Sequence, residues 1–79
     1  MESIQESIAK TIVSDLHIVI SDAKFRPKVW YRQGLDHARI YTGQGNEYLR
    51  VYKDGRVERS KPRMSWGADI DFVLGQNLD

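Results

Sequence analysis

The sequence predicts an α+β domain: an N-terminal helix, a three- to four-stranded antiparallel meander sheet and a short C-terminal helix, with the helices packed on one sheet face. Three observations predict it. Apolar residues recur every four positions through residues 4–16, the period shortens to two after Pro27, and a helical spacing returns after Pro62. Turn residues separate the period-two runs, so neighbouring runs pair as hairpins.

The first element opens on Ser3-Ile4-Gln5-Glu6, the Ser-x-x-Glu spacing of a capping box. There the serine oxygen accepts a first-turn backbone N–H and the glutamate reaches back to the cap amide. Ile4, Ile8, Ile12 and Leu16 follow at i+4, with Ala9 and Val19 adjacent, which draws one apolar stripe opposite Glu6, Lys10 and Ser14. The β-branched stretch His17-Ile18-Val19-Ile20 fits a strand or a continuation of the helix to about Ser21, and the unbroken stripe favours the helix. Pro27 has no amide hydrogen and holds Arg26 extended, so the helix is over by residue 26.

Lys28-Val29-Trp30-Tyr31-Arg32 alternates as a strand or, at the least, as extended chain. Gln33-Gly34-Leu35-Asp36 is a turn before a second strand, His37–Thr42, and Gly43-Gln44-Gly45-Asn46 is a turn before a third, Glu47–Tyr52. Lys53-Asp54-Gly55 leads into a last strand over residues 56–60. A two-residue loop at Asp54-Gly55 would set Lys53 against Arg56 and Arg50 against Arg59. A three-residue loop with Gly55 left-handed pairs Tyr52 with Arg56, Val51 with Val57 and Arg50 with Glu58, and avoids both like-charge pairs. Pro62 ends the sheet. Ser65 or Asp69 caps a final helix whose Trp66, Ile70, Val73 and Leu74 are spaced to dock on the core, and residues 75–79 are expected as a frayed tail.

At 79 residues, without repeats or linkers, the chain is expected to form a single small globular domain over residues 1–79. A domain of this size buries about 60% of its unfolded surface and has little core to spare for a deep pocket, which argues against an enzyme. The absence of cysteine removes disulfides, thiolate metal sites and cysteine nucleophiles, and points to a reducing compartment. Glu2, Gln5 and Glu6 stand where a signal peptide carries basic residues, and the apolar runs are short. A cytoplasmic chain, of a bacterium, a phage or another cell interior, with no membrane association is expected.

The net charge of +1 conceals a segregation. Residues 1–23 and 64–79 each carry a balance of −3, whereas residues 24–63 hold eleven Lys and Arg against four Asp and Glu, a balance of +7. With Val29, Tyr31, Ala38, Ile40, Leu49, Val51 and Val57 as the core side of the sheet, the other face carries Lys28, Trp30, Arg32, Arg39, Tyr41, Tyr48, Arg50, Tyr52 and Arg56. Four aromatics among five basic residues suit phosphate neutralisation and base stacking. The same residue types dominate protein–protein hot spots.

With the first strand counted as extended chain, the α-β-β-β-α order resembles the double-stranded-RNA-binding domain. Gly34-Leu35-Asp36-His37 is similar to the Gly-Pro-x-His loop of that family, and Lys61 and Arg63 precede the last helix where it carries basic residues. Leu35 stands in place of the proline, Pro62 interrupts the basic cluster and Ser65-Trp66-Gly67-Ala68 holds no lysine, so the pattern does not assign the chain to the family.

Catalytic and metal readings find little support. His37 beside Asp36 is the base-and-carboxylate combination, but adjacent turn residues seldom face each other and no nucleophile is placed by sequence. His17 and His37 alone do not make a typical zinc site without cysteine. The sequence therefore predicts a non-enzymatic binding protein without metal or cofactor. Its class is a small protein-interaction module or inhibitor, for example a phage-encoded, anti-CRISPR-type inhibitor of a nucleoprotein complex, acting through the basic, aromatic-rich face. The alternative is a nucleic-acid-binding domain using the same face. A macromolecular partner is expected for a monomer or weak homodimer, with self-association through a sheet edge or through Trp66 and Phe72.

Overall fold

Helix α1 (Ile4–Val19) starts where the capping box places it, with the Ser3 side chain accepting the Glu6 N–H at 3.2 Å. The structure, a computed structural model, describes residues 2–21, 25–42, 46–60 and 67–78. The β-branched run stays helical to Val19, and Ile20 closes the helix in an extended conformation, its N–H on the Leu16 carbonyl at 2.8 Å. The buried face keeps Ala9, Ile12 and Leu16 of the expected stripe, with Ile8 packed against the core, but not its ends. Gln5, Ala9, Ile12 and Leu16 are buried, whereas Ile4 is 64% exposed and Val19 also faces solvent. Four residues advance an α-helix by about 400°, so a strict i+4 series winds around the helix by about 40° per step. Burial follows the i, i+4, i+7, i+11 set instead.

Gln5 is a polar residue in that buried set, and its side-chain amide donates to the Leu35 carbonyl at 2.7 Å. The bond ties the first turn of α1 to the loop after the first strand, where Gly34 has a positive φ of 97° and the Leu35 N–H meets the Arg32 carbonyl.

Strands β1 (Lys28–Trp30), β2 (His37–Thr42), β3 (Asn46–Tyr52) and β4 (Val57–Arg59) form one antiparallel sheet in the order β1-β2-β3-β4. The first strand is thus a ladder strand of three residues, and Tyr31 and Arg32 lie beyond it. The β3–β4 hairpin takes the three-residue loop: Val51 lies opposite Val57 and Arg50 opposite Glu58. Within the loop the Tyr52 N–H donates to the Arg56 carbonyl and the Gly55 N–H to the Tyr52 carbonyl. Gly55 sits at φ 89°, where a Cβ would be strained, and the Asp54 carboxylate accepts the Arg56 N–H at 3.0 Å.

The β2–β3 pairing contains a bulge that the sequence reading lacks. Ile40 faces Leu49 but Tyr41 faces Glu47, leaving Tyr48 as the extra residue. Of the expected turn Gly43-Gln44-Gly45-Asn46, Asn46 instead opens β3 and the rest lies outside the described residues, as do Pro62, Ser65 and Trp66 with the basic pair Lys61 and Arg63.

Helix α1 covers the core side of β1, β2 and β3, and α2 (Gly67–Leu78) packs on α1. Ala38, Ile40, Leu49 and Val51 from the sheet, Ala9, Ile12, Leu16 and Ile20 from the α1 segment, and Ile70 and Val73 from α2 share one core with Phe25. Val29, Tyr31, Val57 and Leu74 are half-buried around it. Asp69 lies in the first turn of α2 and is not its cap. Residues 75–78, expected as a tail, belong to the helix, and the Asn77 amide donates to Asp15 on α1 at 2.9 Å. Arg59 of β4 pairs with Asp71 of α2.

This helix register predicts unequal costs for chemically similar truncations. Ile12→Ala is expected to destabilise the fold by about 2–5 kcal/mol. Ile4→Ala is expected to stay within about 0.5 kcal/mol. Urea denaturation of the two variants checks the register, and equal losses would contradict it.

Candidate functional site

Because β2 buries Ala38, Ile40 and Thr42, its alternate residues His37, Arg39 and Tyr41 stand, half-exposed, on the sheet face away from the two helices. The pairing registers extend them into three cross-strand rows. Lys28, Tyr41 and Glu47 form the first, Trp30, Arg39, Arg50 and Glu58 the second, and His37 and Tyr52 the third, with Arg56 following Tyr52 at the hairpin. Arg32 approaches this surface from the chain beyond β1, its guanidinium 5.9 Å from the Trp30 ring centre.

Eight of the nine residues expected on this surface are therefore brought together. The ninth, Tyr48, is a correction: as the bulge residue it packs on the core, edge-on to Phe25 with ring centres 6.4 Å apart. Glu47 takes the place opposite Tyr41. A bulge leaves no period-two signature in the sequence, so nothing in the alternation announced the exchange. His37 shares the parity of Arg39 and Tyr41, and that signal was available.

The cations are held in place by aromatic rings and carboxylates. The Arg39 guanidinium lies 4.8 Å from the Trp30 ring centre, with Nε directed at His37 Nε2 and Nη1 at the Tyr41 hydroxyl, each at 3.3 Å. Arg56 covers the Tyr52 ring at 4.2 Å, and the Tyr52 hydroxyl donates to Glu58. Arg50 grips Glu47 through two N–H donors at 3.0 and 3.3 Å. That carboxylate first, and Tyr52 second, raise the Arg50 pKa well above its ordinary value. Guanidiniums over ring faces gain electrostatic attraction to the π cloud and lose rotamer freedom before any partner arrives.

Asp36 and His37 do face each other, with Nδ1 and Oδ1 2.8 Å apart, contrary to the expectation for adjacent turn residues. The Asp36 carbonyl accepts the Lys53 N–H at 2.7 Å, which fixes the backbone at the bend before β2 and leaves the side chain turned to the histidine. Arginine can only donate, so His37 Nε2 is an acceptor and Nδ1 carries the proton given to Asp36. Both ring nitrogens are used, and the pair serves to position Arg39. Among the described residues no three His, Cys, Asp or Glu side chains converge as a metal site. None of their helices is long and apolar enough to cross a membrane.

No protein-family model, no curated protein and no solved structure matches the chain. The resemblance to the double-stranded-RNA-binding domain thus has no support beyond the residues that suggested it, and the sheet has four strands.

The His37 hydrogen bond holds the Asp36 carboxyl below the usual carboxylate range. A depressed carboxyl stabilises the fold above its unfolded pKa of about 3.9, and that contribution disappears as the pH falls through the lower folded value. An NMR titration is expected to show Asp36 ionising below the ordinary range and moving up in His37→Ala; an unchanged midpoint would contradict the pairing.

Proposed function

We propose that the chain is a non-enzymatic binding module that holds a protein partner on the open face of its sheet. The observation that carries this reading is the state of the aromatic rings. Trp30 lies under Arg39 and Arg32, and Tyr52 under Arg56. A nucleobase needs a free ring plane to stack on, and a guanidinium already lies over one face of each of these two rings. Glu47 and Glu58 stand on the same face and repel a phosphate backbone. Protein interfaces ask for a different surface: semi-rigid Trp, Tyr and Arg side chains surrounded by polar groups. Trp30, 36% exposed on the first strand, is such a residue.

An inhibitor docked on an acidic surface of a nucleoprotein complex is one form that such a module takes. Direct nucleic-acid binding is the rival reading, favoured by Lys28, Arg32 and Arg39, for which no carboxylate partner is found among the described residues.

A photo-crosslinking amino acid placed at Tyr41, on the open face, is expected to capture one protein in the cells that make the chain. The same group at Thr11, on the outer side of α1, is expected to capture none. Titrations with single- and double-stranded DNA and RNA at two salt concentrations are expected to show no micromolar binding. Micromolar, steeply salt-dependent binding that needs Arg39 would replace this reading with the nucleic-acid one.

A further inference from the structure

The open face is divided electrostatically. On its β3–β4 half the charges are matched in number: Arg50 is paired with Glu47, and Arg56, without an ion pair among the described residues, lies over the Tyr52 ring. Glu58 adds a further negative charge there, beside Arg50 and in contact with the Tyr52 hydroxyl. On the β1–β2 half stand Lys28, Arg32 and Arg39, none with a carboxylate partner among the described residues, grouped around Trp30.

We infer that this β1–β2 half is the docking site for an acidic polypeptide segment, whose carboxylates are taken by Lys28, Arg32 and Arg39 while its apolar atoms contact Trp30. The inference rests on the protein-binding reading above and names the chemistry of the partner. Arg39 is the central residue. Its Nε and one Nη1 hydrogen are directed at His37 and Tyr41, and its plane lies on the Trp30 ring, which leaves the Nη2 hydrogens and the second Nη1 hydrogen. Those remaining donors form the side of the guanidinium fork that fits a carboxylate through two parallel hydrogen bonds.

The size of the cationic patch selects a peptide over a nucleic-acid strand. Lys28 and Arg39 are diagonal neighbours on adjacent strands, about 7–8 Å apart, and Lys28 and Trp30 are two residues apart on one strand, about 7 Å. Two or three acidic side chains of one short segment cover that area. A nucleic-acid backbone crossing the sheet would run on over Glu47 and Glu58.

The test is an NMR titration of the isotope-labelled chain with a terminally blocked hexaglutamate peptide, beside a thymidine dodecamer. Hexaglutamate is expected to shift the Trp30 indole and the resonances of Lys28, Arg39 and Tyr41, with smaller shifts on β4. Arg32→Glu, at an exposed position, is expected to weaken it about tenfold or more, since one desolvated charge contact of this kind is worth about that much. Lys53→Glu, an equal change of charge at the far hairpin, is expected to change the affinity less than about twofold, as for a charge screened beyond its neighbours. Equal shifts over both halves, no shifts, or tighter binding of the thymidine dodecamer would overturn the inference. If hexaglutamate fails while the Tyr41 crosslink still captures a protein, the acidic-segment inference falls alone; if both fail, the protein-binding reading falls with it.

Discussion

The pleat of β2 is the constraint on which the rest of the molecule depends. Ala38, Ile40 and Thr42 are closed off beneath the helical layer, so His37, Arg39 and Tyr41 have only the opposite face available to them. The same parity runs into β1 through Val29 opposite Ile40, and into β3 through Leu49 and Val51. Burial of one set of side chains therefore exposes the other, and the composition of that exposed set decides what the protein can bind. The one interruption among the described residues, the bulge at Tyr48, sends an aromatic ring toward Phe25 and sets a carboxylate at the end of the first cross-strand row.

The exposed set is restrained rather than free. Arginines are expensive to order at an interface because of their rotamer entropy. Here Trp30, Tyr52 and the His37 and Tyr41 side chains have already confined two of them. The Asp36–His37 pair contributes to this restraint at one remove, since it fixes the tautomer whose Nε2 receives Arg39. Among the described residues both helices carry net negative charge and the sheet carries most of the basic side chains, so the two layers differ in charge. Such an asymmetry orients an approaching acidic surface toward the sheet side before contact.

Much of this was legible in the sequence where a local chemical requirement acts alone. Ser3 marks the start of α1 because a helix N-terminus needs an acceptor, and its side chain takes the Glu6 N–H. Asp54-Gly55 fixes the β3–β4 register because only one loop length avoids like charges across the strands and gives Gly55 its positive φ. What was not legible depends on contacts between distant residues. The choice of Gln5 over Ile4 for the buried face of α1 is made by the Leu35 carbonyl, thirty positions away, and by the drift of an i+4 stripe around the helix. Phe25 joins the core from a connecting segment without periodicity. The bulge at Tyr48 and the approach of His37 to Asp36 are likewise products of backbone geometry that residue spacing does not encode.

Among the described residues, one half of the open face carries uncompensated positive charge and the other does not. Paramagnetic relaxation of side-chain and amide protons by small anionic and cationic probes of equal size measures that distribution directly, without any partner. The anionic probe is expected to relax the Trp30 indole and the Tyr41 ring protons more strongly than the cationic one, with the two probes nearly equal at Arg50 and Glu58. Equal effects of both probes around Trp30, or an anionic preference centred on β3 and β4, would contradict it.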